Sequence, residues 1–337
     1  MTRFLLSLAE SGFIPDSLIK IAARYISNTR LNEQSIDDNK DKIISALSRG
    51  AIAEKTYDAN EQHYEVPPKF FNYVLGENLK YSCSLFNNAN SLDEAEESML
   101  KLYIDRADIK DYHEVLDLGC GWGSFSLYLA ERYPNTKITS ISNSSDQIAY
   151  IKKEAHKRGL FNIKAFRMDV NNLQLNKQFD RIVSIEMFEH VRNYKLILNS
   201  INNLLKPDGR LFIHIFCHKK LTYFYEIKNN FDWMTKYFFQ GGIMPSKDIF
   251  KYFEGELEII NQWNINGNHY SKTCKAWLNN HYKNKKKILG IFQKHYKEPK
   301  IWFNRWRIFF LSCEVFFALN NGKEYSVAHY LFKKCDK

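Results

Sequence analysis

The chain has 337 residues, a net charge of +10 and an unusual load of aromatics, with 25 Phe, 20 Tyr and 6 Trp. That composition excludes a disordered chain and suits one large domain or a core with a smaller cap. No apolar run reaches the about 18 residues of a spanning helix, and the apolar start before Glu10 and Pro15 is too short for a signal peptide.

Residues 4–30 carry Phe4, Leu5, Leu8, Phe13, Leu18, Ile21, Ala22 and Tyr25 at spacings that predict short amphipathic helices. A helix is expected over Glu94–Ala107, with Met99, Leu100 and Tyr103 on one face. From His113 the rhythm changes. Val115–Leu118 reads as a short buried strand ending in glycines, Phe125–Tyr133 as a helix stopped by Pro134, and Lys137–Ser142 as a strand. A helix over Ser145–Arg158, strands over Asn162–Met168 and Phe179–Ile185, and a helix ending at Leu205 follow. Pro207-Asp208-Gly209 predicts a turn before a fifth strand, Arg210–Phe216. This alternation implies βαβ units and a parallel sheet with helices on both faces, an α/β fold. Residues 221–255 interrupt it with an aromatic-rich segment expected to form a cap. Two closing strands, Glu258–Ile265 and Tyr325–Phe332, flank a helix over Trp302–Leu319, and Asn320-Asn321-Gly322 is a turn.

The strongest motif is VLDLGCGWGSFS, Val115–Ser126. A glycine-rich turn between a first strand and helix lets the backbone approach a nucleotide-like ligand. The spacing Gly119-x-Gly121-x-Gly123 is not the dinucleotide GxGxxG. Asp117 stands where a carboxylate can meet an ammonium, and the second strand ends in Ser142-Asn143, with Gln147 one turn on, instead of a ribose-binding acid. These details favour S-adenosyl-L-methionine. The run Lys283-Asn284-Lys285-Lys286-Lys287 reads as a solvated helix face. The six cysteines have no C-x-x-C spacing, which argues against zinc or a disulfide framework and for reduced thiols in a cytoplasmic protein.

DLGCGWGSFS followed by FDRIVSIEMFEH resembles the cyclopropane-fatty-acyl-phospholipid synthase superfamily of methyltransferases. The segments YDANEQHYEVP, LKYSCSLF, IEMFEHVRNY, FIHIFCHK, YFFQGGIMPS, NGNHYSKT and NNGKEYSVAHYLFKK are most similar to its coclaurine N-methyltransferase-like branch. The likeness runs from about Tyr57 to the C-terminus. It implies a class I methyltransferase Rossmann-like sheet in residues 91–337, preceded by an N-terminal helical, cofactor-covering region in 1–90. It further implies that Tyr81 and Ser82 touch the methionine part of the cofactor, that Gly119–Gly121 with Cys120 form its loop, that Ser142, Asn143 and Gln147 face the ribose, and that Asp169, beside Val170, lies near the adenine.

Methyl transfer to an amine needs a proton acceptor, because an alkylamine is mostly protonated at neutral pH. Glu186, Glu189 and His190 follow the fourth strand; if Met187 begins a helical turn they share one face. Glu189 is the expected pocket carboxylate that orients or deprotonates the acceptor, with His190 and His214 assisting. In the lipid-modifying relatives, residues matching Cys83, Glu189, His214 and Tyr270 surround a bicarbonate. Glu186 stands where those enzymes typically have glycine, which suits a cationic amine. Cys313 in FFLSCEVFF matches a cysteine counted as active in the lipid enzymes, although its apolar neighbours suit a core position. The aromatics of 223–239 are candidate pocket walls for a cationic or aromatic substrate, with plain core packing as the alternative for each.

The expected activity is N-methylation of a small amine-bearing acceptor, with methylene or methyl transfer to unsaturated phospholipid acyl chains as the alternative. Bicarbonate and a homodimer stay open. Membrane contact is expected to be peripheral and weak at most, and no nucleic-acid-binding module is evident.

Overall fold

The computed structural model describes residues 2–36, 40–53, 66–227, 232–255 and 257–335. The described helices are α1 (Thr2–Glu10), α2 (Asp16–Ile36), α3 (Lys40–Ala46), α4 (Pro68–Val74), α5 (Leu92–Arg106), α6 (Ser124–Arg132), α7 (Ser145–Lys157), α8 (Tyr194–Leu204), α9 (Trp233–Phe238), α10 (Asn268–Lys283), α11 (Lys285–His295) and α12 (Pro299–Phe317). The strands are β1 (Glu114–Leu118), β2 (Lys137–Ser142), β3 (Ile163–Arg167), β4 (Phe179–Ile185), β5 (Leu205–His218), β6 (Tyr223–Phe224), β7 (Ile243–Met244), β8 (Leu257–Asn266) and β9 (Tyr325–Lys334).

Seven strands form one sheet in the order β3-β2-β1-β4-β5-β9-β8. β1 to β5 are parallel, and β9 and β8 close the sheet antiparallel. The chain winds outward both ways from β1, so the crevice beyond the carboxyl ends of β1 and β4 is where an α/β sheet binds ligands. Both faces are covered. Val115, Val183 and Phe212 point into one apolar core, and Leu116, Leu118, Ile182, Leu211 and Ile213 into the other. Period-2 alternation sends apolar side chains both ways, which is why the central strands read as continuous apolar runs.

Pro207-Asp208-Gly209 does not separate a helix from a strand. β5 begins at Leu205, and the three residues lie in a bulge, where Leu205 pairs with Phe179 and Arg210 with Arg181. The basic run at 283–287 spans the junction of α10 and α11, with all four lysines exposed. α10 itself was not foreseen, because its polar residues mask the stripe Tyr270, Cys274, Trp277 and Leu278.

The N-terminal helices pack on α12 instead of the sheet. The buried Arg307 holds them there: its Nη2 donates to Ile14 O at 2.7 Å and its Nε to Asp16 Oδ1 at 2.8 Å. Phe4, Leu5, Phe13, Leu18, Ile21 and Tyr25 stay exposed. Among the described residues no helix is long and apolar enough to cross a membrane. The YDANEQHYEV stretch through Glu65 and Phe231 lie outside the described residues.

Candidate active site

β1 ends at Leu118, and the chain turns through Gly119, Gly121 and Gly123 with φ of +81°, +51° and +79°. Positive φ at three alternating positions needs glycine. A Cβ on Gly119 would meet Met187 Cγ at 2.6 Å and one on Gly123 Ile151 Cγ1 at 2.6 Å, whereas one on Gly121 would meet nothing within 4 Å. Gly119 and Gly123 therefore serve close packing, and Gly121 faces open space. That space is a cavity of about 290 Å³ at the carboxyl ends of β1, β2 and β4.

Of the twelve residues expected at the cofactor, eleven line this cavity: Tyr81, Ser82, Asp117, Gly119, Cys120, Gly121, Ser142, Asn143, Gln147, Asp169 and Val170. Gly123 stands behind the wall as the residue before α6. Asp117 is 1% exposed and accepts from Ser126 Oγ at 2.5 Å. Burial pushes its carboxyl up to about 7, opposed by the Ser126 hydrogen bonds. Among the described residues no ion pair involves Asp117, which leaves a buried acid suited to a cationic ligand group. Ser142 Oγ donates to Gln147 Oε1 at 2.7 Å, and Asp169 Oδ1 accepts from Asn171 N at 2.8 Å. Two cavity-lining groups missed in the sequence, Ser124 Oγ and Trp277 Nε1, are buried without a hydrogen-bond partner. These features fit adenosylmethionine: a cradle at Gly121, an acid for its ammonium, and unpaired polar atoms.

Glu186 lines the same cavity, between Ile185 and Met187. It follows β4 with φ +48°, so no helix starts at Met187; only a 3-10 turn forms, over Phe188–His190. Glu186, Glu189 and His190 therefore do not share a helical face. Glu186 Oε1 accepts from Cys83 N at 2.9 Å and lies 3.0 Å from His214 Nε2, while Oε2 accepts from Tyr270 OH at 2.6 Å. Glu189, expected in the pocket wall, is fully buried and is not among the cavity-lining residues. Its Oε1 accepts from Phe216 N at 2.8 Å, and its Oε2 has no partner. Burial raises both carboxyls, and the charge of Glu186 raises Glu189 further. Lys80, the Tyr270 hydroxyl and the Cys83 N–H oppose the rise at Glu186, whereas only backbone N–H groups oppose it at Glu189, so Glu186 is the readier of the two to ionise.

His190 and Tyr270 line the cavity; Cys83 and His214 lie behind it, and the Cys83 contribution is its backbone N–H. Burial lowers His190 to about 4, partly offset by Glu186, so the imidazole is neutral. Cys313, expected in the core, is half-buried and lines the cavity, because α12 turns that face toward the pocket. Among the aromatics of 223–239, Tyr225 and Phe239 line the cavity, whereas Trp233 and Phe238 are buried core.

Lys80 was also missed. It is fully buried in the cavity wall, its Nζ 2.5 Å from Ser82 Oγ and 2.6 Å from Cys83 O. Burial pulls it down to about 8 against the attraction of Glu186. A lysine inside the apolar segment LKYSCSLF was the available signal.

Residues 52–326 match the family described as mycolic acid cyclopropane synthetase. The chain is 38% identical to an (S)-coclaurine N-methyltransferase of Thalictrum flavum subsp. glaucum over 344 residues, covering 98% of this chain and 95% of that one. The crystal structure of a coclaurine N-methyltransferase bound to N-methylheliamine and SAH superposes with a TM-score of 0.94 at 36% identity, covering 99% of each chain. A cyclopropane synthase of Mycobacterium tuberculosis shares the fold at 20% identity, with a TM-score of 0.72 over 84% of this chain and 99% of that one.

Proposed function

The chain belongs to the mycolic acid cyclopropane synthetase family and is an S-adenosylmethionine-dependent methyltransferase, and on that premise we propose that it N-methylates a small amine-bearing acceptor held by Glu186. The carrying observation is the Glu186 carboxylate at the cavity, held by the Tyr270 hydroxyl, the Cys83 N–H and the His214 imidazole. A buried carboxylate with its lone pairs so arranged is an anionic seat for an ammonium. Trp122, Tyr225, Phe239, Phe316 and Phe317 line the same cavity and offer aromatic faces to a cation. The likeness to the coclaurine N-methyltransferases supports the same choice.

The cofactor, when bound, supplies a methyl group already activated on a sulfonium. Tyr81, Ser82, Asp117, the Gly119–Gly121 turn, Ser142, Asn143, Gln147 and Asp169 are the residues assigned to hold it. The remaining work belongs to the chain. Glu186 draws in the ammonium, orients its nitrogen and takes its proton, which frees the lone pair for attack; burial raises this carboxyl and strengthens it as a base, whereas His190, pulled down to about 4, stays neutral in the same wall. The aromatic walls exclude water from the exchange.

Bicarbonate does not fit this site. Three members of its expected shell, the Cys83 backbone, His214 and Tyr270, already hold the Glu186 carboxylate, a tethered anion of the same kind. No comparable observation favours transfer to an acyl chain. A cytoplasmic location, expected from the scattered cysteine spacing, is kept within the proposal. The test is incubation with methyl-labelled cofactor and two acceptor pools, small amines and total lipid. Label is expected in the amine fraction; label confined to lipid overturns the reading.

A further inference from the structure

Behind Glu186 a chain of hydrogen bonds leads to the protein surface. His214 Nε2 lies 3.0 Å from Glu186 Oε1, His214 Nδ1 lies 2.9 Å from His329 Nε2, and His329 Nδ1 lies 2.7 Å from Arg106 Nη1. The two histidines meet because β5 and β9 place them directly opposite in the antiparallel ladder. Arg106 ends α5, half-buried, with its guanidinium over the Trp263 ring at 4.9 Å. Neither His329 nor Arg106 lines the cavity, and neither has been given a function above.

We propose that Arg106, acting through His329, fixes the tautomer of His214 and so makes His214 a hydrogen-bond donor to Glu186. A guanidinium only donates and stays charged in proteins. His329 Nδ1 must therefore accept, which puts the His329 proton on Nε2. That proton points at His214 Nδ1, which must accept in turn and puts the His214 proton on Nε2, facing the carboxylate. Every link has one donor and one acceptor, and the direction is set at the surface end.

The alternative pattern fails at a named contact. The Tyr103 hydroxyl also lies 2.9 Å from His214 Nδ1 and could accept a proton from it. His329 Nε2 would then have to accept as well, or face a second proton. With Nε2 accepting, the His329 proton moves to Nδ1, against an Arg106 N–H at 2.7 Å. His214 would meanwhile present a lone pair to Glu186. Arg106 thus excludes the state in which Glu186 loses its imidazole donor. It is a positioning residue for the cation seat, with no contact to acceptor or cofactor. The inference rests on the reading of Glu186 as that seat.

Long-range proton–nitrogen spectra of the full chain labelled with ¹⁵N-histidine test it. In the wild type, His214 and His329 are expected neutral, each with its proton on Nε2. Arg106→Met is expected to release that single tautomer and to lower kcat/KM for the amine about tenfold, mainly through KM. Adenosylhomocysteine affinity, read by calorimetry, should stay within about twofold, which also reports that the variant is folded. Arg106→Lys, which restores a donor-only cation, should recover the tautomer and most of the activity. A wild-type spectrum with Nδ1–H on either histidine overturns the proposal without any variant, as does an unchanged histidine pattern in Arg106→Met. If Glu186→Gln proves fully active while the spectra follow expectation, the seat fails and the tautomer lock stands.

Discussion

The hydroxyl of Tyr270, on α10, donates to Oε2 of Glu186 at 2.6 Å and so ties the helical layer to the residue that follows the fourth strand. The same ring stacks on Phe317 of α12, with centroids 4.1 Å apart. The pair joins two walls of the cavity through one buried carboxylate. Glu186→Gln keeps the shape and removes the charge. It is expected to lower kcat/KM for an amine acceptor by about 10²-fold, within the range for losing a group that handles the substrate proton. Calorimetry should show adenosylhomocysteine binding unchanged. Full activity of the variant would remove Glu186 from the mechanism.

Glu189 and Glu186 should respond differently. Glu189 is held protonated by burial and by its neighbour's charge, so Gln is close to an isostere of its working form. Its amide oxygen can still accept from Phe216 N. Glu189→Gln is expected to lose less than about tenfold in kcat/KM, against about 10²-fold for Glu186→Gln. Equal losses in a side-by-side assay would mean that Glu189 is ionised during turnover.

Gly121 tests the cofactor cradle. Gly121→Val places a side chain in the cavity at φ +51°, with no protein atom within 4 Å of its Cβ. The strain should cost about 1–3 kcal/mol of stability, a modest drop in melting temperature. Adenosylhomocysteine binding, by contrast, should become undetectable by calorimetry. A folded variant with wild-type affinity would refute the assignment of this turn to the cofactor.

Asp117 gives the cofactor site a pH dependence. Its carboxyl sits near 7 because burial disfavours the charge. An ammonium binds the ionised form, so binding below that value must first release a proton. The sign follows: adenosylhomocysteine affinity should rise as pH increases from 6 to 7.5, by up to about tenfold per unit below the pKa. Asp117→Asn should bind more weakly and show no such slope. Affinity that falls over this range in the wild type would contradict the role. The sign for folding is opposite. A carboxyl raised from its ordinary 3.8 to about 7 stabilises the fold below 3.8 and loses that contribution as pH rises through 7.

The N-terminal helices latch the segment that carries α9. Glu10 Oε1 accepts from Trp233 Nε1 at 2.8 Å and from Arg305 Nε at 2.9 Å, and Arg30 pairs with Asp232. Trp233 opens α9, whose Met234 lines the cavity. A Glu10→Ala/Arg30→Ala double variant should loosen this wall. KM for the amine is expected to rise about 3- to 10-fold, with adenosylhomocysteine affinity nearly unchanged, because Glu10, Arg30, Asp232 and Trp233 are not among the residues that line the cavity. Parallel losses of both affinities would point to a general defect in folding.

What the sequence determined by itself was local. The order of strands and helices from His113 to Phe216 follows from apolar periodicity, which depends on nearest neighbours along the chain. The glycine turn announced its site because three positive φ angles in five residues can be met by glycine alone without strain. Residue type and family likeness were enough to nominate Tyr81, Asp117 and Gln147 for the cofactor, and all three line the cavity.

Only the tertiary structure separated Glu186 from Glu189. They stand three residues apart with the same side chain, and a helical reading makes them equivalent. The left-handed backbone at Glu186 turns one into the cavity and leaves the other buried behind it. The hydrogen-bond chain behind Glu186 was likewise hidden. Arg106, His329 and His214 are distant in sequence, and their contact exists only because β9 returns antiparallel beside β5 under the end of α5. Such a contact depends on strand register and helix placement, and long-range packing sets both.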